Sequence, residues 1–258
     1  MKKNADESSN YTTINARIID KWVESGWEWG KPINHETFLN ARMGIWSVVL
    51  TPIKPVPKDW FCDFKNANIL GLACGGGQQI PIFTALGASC TVMDISDRQL
   101  ESEELVAKRE GYKVNIVKAD MTEKFPFTDE TFDLIFHPVS NCYVFDVYSI
   151  WKECFRVLKK GGILLSGLDN GLNYVFDDEE TKIVRKLPFN PLEDEKLYME
   201  SIEKDWGIQF SHSIEEQIGG QIKAGFILED IYQDTNNIGN LHDFNIPTFY
   251  SVKAVKPL

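Results

Sequence analysis

Residues 67–74, 90–95, 114–119, 132–137 and 163–168 are short apolar runs, separated by longer stretches in which apolar positions recur every three or four residues. Runs of that length bounded by turn residues predict buried strands, and the stretches between them predict helices that cover the strands. The best-marked helix follows Asp146, where Val147, Ile150, Trp151, Cys154, Phe155 and Leu158 keep one face apolar. Asp146 is placed to cap it, Lys159 and Lys160 to complement its dipole, and Gly161-Gly162 to stop it. Residues 78–86 and 97–110 predict two further helices, with Pro81 in the first turn of one and Gly87 and Gly111 past their ends. Ser213 and Glu216 have capping-box spacing and open a helix that should end at Gly225. Residues 226–232 and 246–255 are the last strand candidates, and Pro247 puts the start of the final one at an edge or a bulge.

Strands alternating with helices in this way predict an α/β fold: a doubly wound, mostly parallel sheet with helices on both faces. Two regions break the alternation. Residues 1–66 carry Trp22, Trp27, Trp29, Trp46 and Trp60, and end in a proline-rich stretch, 51–57, that cannot be helical and should lead extended into the first strand. Residues 171–212 contain Pro188, Pro191 and many charges. The expected organisation is an N-terminal helical extension or cap (1–66) and a main domain (67–258) with a lid-like insertion (171–212) after its fifth strand. The N-terminal tryptophans are core under an extra helical layer, or walls of a binding site.

Composition changes the picture in three respects. A chain of 258 residues, 43% hydrophobic and 25% charged, fits one elaborated globular domain. Its net charge of -11 argues against nucleic acid, whose affinity rests on basic residues displacing phosphate counterions. The acid excess is concentrated in residues 171–205, with ten acids against five bases, and Asp177-Asp178-Glu179-Glu180 reads as a solvated helix start. That field favours a neutral or cationic small-molecule partner over an anionic one. Five cysteines without a C-x-x-C and four scattered histidines predict no metal site and a reducing compartment. Met1-Lys2-Lys3 leads into polar residues and no 18-residue apolar run follows, so the expectation is a cytoplasmic protein with no membrane partner, monomeric or homodimeric.

In an open parallel sheet, ligands bind at the carboxyl ends of the strands near the reversal of strand order. The first strand ends in Ala73-Cys74-Gly75-Gly76-Gly77, expected to admit a ligand close to the backbone and to offer amide donors at a helix start. Asp94 ends the second strand, where a carboxylate suits ribose hydroxyls. Asp120 and Met121 follow the third, a polar and an apolar group suited to a purine. His137 ends the fourth, and Asn141 and Tyr143 lie on the loop after it.

These segments, together with Phe132-Asp133-Leu134-Ile135 and the run from Phe155 to Gly162, resemble the class I S-adenosylmethionine-dependent methyltransferases. The resemblance implies a Rossmann-like seven-stranded sheet and S-adenosylmethionine as cofactor. By the same resemblance, 73–77 would cradle the methionine portion, Asp94 the ribose and Ile95 the adenine. Gln99 would reach a ribose or adenine edge, Asp120 the adenine amino group with Met121 beside it, and His137 would sit near the sulfonium. His137, Asn141 and Tyr143 become candidates for acceptor contact or general base, His137 otherwise lining the pocket or bonding a backbone carbonyl; Asp133 is structural. Two positions depart from the pattern: Gly71 stands where an acid is usual and Ala73 where glycine is. Either another residue supplies the missing carboxylate or binding weakens, and the alanine is harmless only at negative φ. The reaction implied is in-line methyl transfer to a small molecule. The competing readings are an NAD(P)-dependent oxidoreductase, since Gly71-x-Ala73-x-x-Gly76 loosely mimics a dinucleotide fingerprint, and a non-catalytic S-adenosylmethionine-binding protein.

Overall fold

The computed structural model describes residues 11–258, so the Met1-Lys2-Lys3 start lies outside the described residues. Strands β1 (Asn68–Leu72), β2 (Ser89–Asp94), β3 (Asn115–Lys118), β4 (Phe132–His137) and β5 (Leu158–Asp169) form from the apolar runs. With β6 (Ile227–Asp234) and β7 (Phe249–Val255) they make a seven-stranded sheet of order β3-β2-β1-β4-β5-β7-β6. Only β7 runs against the others. Because β1 is flanked by β2 on one side and β4 on the other, strand order reverses there and a crevice opens at their carboxyl ends.

Helices cover both faces. On one, α5 (Val147–Val157) buries Val147, Ile150, Trp151 and Cys154 against the sheet, packed beside α7 (Ile214–Ala224). On the other, α3 (Gln79–Ala85) and α4 (Asp97–Glu110) bury Ile80, Phe83 and Leu100 together with Trp60. The sheet's carboxyl edge is roofed by α1 (Tyr11–Glu24), which meets α6 (Glu195–Glu203) and residues 205–210 of the insertion in a small apolar cluster of its own. Among the described residues the remaining α-helices are α2 (His35–Arg42) and the short α8 (Asn240–Asp243).

Local signals fix several boundaries. The Ser213–Glu216 capping box forms and Gly225 ends α7 in the left-handed region. Asp133 accepts the Asn68 amide and pairs with Lys159 at 2.8 Å, tying together the starts of β1, β4 and β5. That pairing also corrects the expected end of α5: the helix stops at Val157, and Leu158 to Gly162 already belong to β5. Leu158 is extended and fully buried opposite Phe132, and Lys159 serves the ion pair rather than a helix dipole.

Other expectations change too. Pro247 precedes a strand in the interior of the sheet, and the irregular pairing falls in β6 between Leu228 and Asp230. The acidic run starts no helix; it is a turn in which the Asp177 carboxylate accepts the amides of Thr181 and Lys182. Residues 51–54 do not run directly into β1. The chain crosses over β5 at Val49–Pro52, where a Cβ on Gly167 would lie 2.1 Å from the Leu50 carbonyl oxygen, so only glycine permits the crossing. Buried Asp234 pins the crossing by accepting Thr51 Oγ1 and the amides of Ile53 and Lys54 at 2.8–2.9 Å.

Candidate functional site

The carboxyl ends of β1, β2 and β3 wall a narrow cavity of about 80 Å³. Beside it, towards β5 and the insertion, lies a wider one of about 270 Å³. Trp27, Ala73, Gln99, Val139 and Tyr143 line both, so the two share a partition.

The narrow cavity brings together Asp94, Ile95, Gln99, Asp120 and Met121, all named from the sequence, with Met93 and Ala119 adding apolar surface. Asp94 is held rigidly: Oδ2 accepts the Gly75 amide and Oδ1 the Ser96 amide, each at 3.0 Å. Burial pushes its carboxyl above the usual carboxylate range, partly offset by those amides. The Asp120 side chain accepts from the Thr122 amide and hydroxyl at 2.8 Å. Gln99 is buried and its Oε1 has no partner within the protein, although the residue lines both cavities. That oxygen packs against Gly76, where a Cβ would come within 2.7 Å of it, and is left as a buried acceptor without a bond.

The glycine turn works differently from expectation. Its amides do not face a ligand: Gly75 donates to Asp94, Gly76 to the Gln99 carbonyl and Gly77 to Glu103 Oε1 at 2.7 Å. Nor is the space of the absent Cβ atoms left to a ligand. A Cβ at Gly75 would lie 2.5 Å from Gln99 Cβ, and one at Gly76 would lie 2.6 Å from the Trp29 carbonyl oxygen. The glycines let α4 and the Trp29–Gly30 backbone pack against the turn, and the cavity receives Ala73, Cys74 and Gly75 as wall.

Both departures from the family pattern acquire a geometry. A Cβ on Gly71 would meet Ile80 Cδ1 at 2.6 Å, so an acidic side chain there would require Ile80 to move. The carboxylates that hold the turn are Asp94 and Glu103. Glu103 sits on the buried face of α4, and burial pushes it up to about 8 against the pull of the Gly77 amide. It was not anticipated, and its signal was an acid among Leu100, Val106 and Ala107 on the apolar face of an amphipathic helix. Ala73 adopts φ 46°, the left-handed region, so the condition of negative φ is not met and the turn carries about 1 kcal/mol of backbone strain.

His137 and Asn141 lie behind the wall, outside the lining of either cavity. His137 is fully buried; Nδ1 is 3.0 Å from the Leu72 carbonyl oxygen, which can only accept, so that nitrogen carries a proton. Nε2 is 2.8 Å from the Asn141 side-chain amide, which in turn contacts Gln217. Burial lowers the imidazole's proton affinity. Tyr143, the third residue named on this loop, does line both cavities, and burial keeps its hydroxyl protonated.

The wider cavity was the less visible from sequence. Its walls come from Trp27 and Trp29, the Val49–Pro52 crossing, Tyr143, the segment Asp169 to Tyr174, Gln209 and Phe249. Trp27 and Trp29 therefore wall a site, whereas Trp60 is core. Asp169, 5% exposed at the carboxyl end of β5, was missed, and its position at a strand end on the ligand edge was the available signal. The roof is latched by Asn15 of α1, which accepts the Ile208 amide at 2.7 Å and donates to the Ile208 carbonyl at 3.0 Å. Trp22 Nε1 donates to the Asp205 carbonyl beside it.

Among the described residues no group of three or more His, Cys, Asp or Glu side chains is disposed to hold a metal ion, and no helix is long and apolar enough to cross a membrane.

The profile of a methyltransferase-domain family matches residues 70–166. An uncharacterized methyltransferase, YbaJ, of Bacillus subtilis is 40% identical over 249 residues, covering 94% of this chain and 97% of its own length. Among solved structures, an S-adenosylmethionine-dependent methyltransferase from Mesorhizobium loti superposes with a TM-score of 0.61 at 17% identity, over 77% of this chain and 94% of that one. A counterpart from Methanosarcina mazei gives 0.56 at 18% identity, over 80% and 99%.

Proposed function

The chain belongs to the S-adenosylmethionine-dependent methyltransferases, and from that premise we propose how its residues divide the work of methylating a small molecule. The single observation that carries the division is the pair of cavities sharing one partition at the reversal of strand order.

On this reading the narrow cavity takes the nucleoside. Asp94 accepts from the ribose hydroxyls, Ile95 and Met121 flank the adenine, and Asp120 faces its amino group. Gln99, on the wall of both cavities, completes the polar set. Ala73, on the partition, backs the methionine portion, which would run on along Cys74 and Gly75 at the near edge of the wider cavity. S-adenosylmethionine supplies a methyl group on a sulfonium, whose charge disappears as the methyl leaves. The chain's own task is therefore alignment and exclusion of water more than acid–base force. Tyr143 and Trp27, on both walls, orient the reacting groups; His137 and Asn141 act from behind, fixing the loop that carries Tyr143.

Of the N-terminal extension the described residues 11–66, with residues 171–212, form the cap of this site, the rest of the chain its catalytic frame. Five free thiols support a cytoplasmic setting.

Titration with S-adenosylmethionine, S-adenosylhomocysteine and NADH tests the assignment. The first two should bind and quench tryptophan emission through Trp27. Tight binding of NADH with none of either sulfur compound would overturn it, and cofactor binding with no turnover on any acceptor would leave only a binding protein.

A further inference from the structure

The wider cavity has one ionisable carboxyl and no cation on its walls among the described residues. That carboxyl, Asp169, has Oδ1 fixed by the Gly171 amide at 3.0 Å. Trp27, Trp29, Tyr143, Tyr174 and Phe249 surround the same space. Outside it lies a cleft that shares Trp29, Pro52 and Phe249 with the cavity. Its walls hold Glu28, Asp178, Glu179, Glu180 and Asp243, again without a described lysine or arginine. The approach and the interior thus have the same sign, and aromatic faces line the end of the path. Such a surface attracts cations and discriminates against carboxylates and phosphates.

We propose that the acceptor is an amine-bearing small molecule, drawn in as its ammonium form, seated among these aromatic faces, and relieved of a proton by Asp169 before methylation. The proposal rests on the methyltransferase reading and names the substrate class of its second cavity. The ammonium gives one proton to the Asp169 carboxylate, leaving a neutral amine and a neutral acid. The nitrogen lone pair then forms the C–N bond as the C–S bond breaks, the bonding pair passing to sulfur, and the product leaves as a methylated ammonium while Asp169 returns its proton to solvent.

The groups around Asp169 agree with this role. Cys142, Tyr143, Tyr174 and Tyr250 are all pushed up by burial and, further, by the Asp169 charge, so each stays neutral while Asp169 titrates. Burial sets Asp169 itself at about 7. A base with that value is half ionised at neutral pH, where it accepts and returns protons readily.

The test compares benzylamine, benzyl alcohol and benzoate, three probes of similar size and different charge, by tryptophan fluorescence with saturating S-adenosylhomocysteine. Benzylamine should bind at least about 10-fold more tightly than the alcohol, as expected for one charge-assisted hydrogen bond, and benzoate least. Asp169→Asn, which keeps the Oδ1 acceptor for Gly171, should abolish the amine preference while holding S-adenosylhomocysteine affinity within about 2-fold. Amine affinity should fall between pH 8 and pH 6 in the native protein and stay flat in Asp169→Asn. Equal binding of amine and alcohol, or an amine preference that survives Asp169→Asn, overturns the proposal and leaves the methyltransferase reading intact. Weakened S-adenosylhomocysteine binding in Asp169→Asn assigns the carboxyl to the cofactor and overturns it too. Failure of the native protein to bind S-adenosylhomocysteine removes both.

Discussion

The narrow cavity takes Ala73, Asp94 and Asp120 from the ends of three successive strands, closed over by Thr12, Asn15 and Ile19 of α1, whereas the wider cavity draws on segments from Trp27 to Phe249. The carboxyls follow the same division. Asp94 and Glu103 direct oxygens at amides of the glycine turn and stiffen it from inside. Asp169 gives one oxygen to Gly171 and presents itself on a cavity wall. Rigid backbone-held carboxyls suit a ligand that never varies; a carboxyl among side chains from distant segments suits a partner that selection can change.

The largest expected effect would sharpen this contrast at Glu103. Its folded value of about 8 lies above the ordinary 4.5 of the unfolded chain. Between those values the folded state binds more protons, so stability falls as pH rises, by up to about 1.4 kcal/mol per unit for one such group. Urea unfolding at pH 5, 6.5 and 8 should give Glu103→Gln a shallower decline than the native chain; parallel curves would show that Glu103 is not held neutral.

Next comes Asp94→Asn, which sets an NH2 against one of two backbone donors. Calorimetry should find S-adenosylmethionine binding weakened roughly 10- to 100-fold, with the amine preference of the wider cavity unchanged. If both cavities respond alike, the partition between them is not real.

A third change, Asn15→Ala, removes both latch bonds to Ile208, worth about 1–3 kcal/mol of local stability. Amide exchange at residues 205–210 should accelerate while β1 and β4 keep their protection. The smallest effect is Ala73→Gly, which relieves the left-handed alanine at the entropic cost of glycine. Its melting temperature should change by no more than the equivalent of about 1 kcal/mol, with any change in affinity appearing in both cavities because Ala73 lines both.

The same division governs how much could be read from the residues. Helix α4 is marked by Ser96 and Gly111, its N-cap and C-cap, and matches its expected span; β4 matches too. Local periodicity and capping decide such elements. The strand ends Asp94, Asp120 and Met121 were legible because the fold class places every parallel strand's carboxyl end at the ligand edge. Leu158 was misplaced because an apolar residue satisfies a helix face and a strand equally well. The glycine turn was misread as a set of donors because nothing in the turn itself tells that Asp94 and Glu103 take up its amides. Asp169 offered only its place at the end of β5, and the Val49–Pro52 crossing lies beyond local signals altogether, since its partners are far away in the chain.

The Asn15 latch joins residues 193 positions apart. Closing so long a loop comes at an entropic cost that short-range elements avoid. During synthesis α1 leaves the ribosome long before Ile208 exists, and until then α4 can already hold it, through Asp20 and Glu24 against Ser96 and Arg98. The seam with the insertion therefore closes late, and we expect it to be where the roof parts first, giving ligands a way in and out without disturbing a single strand.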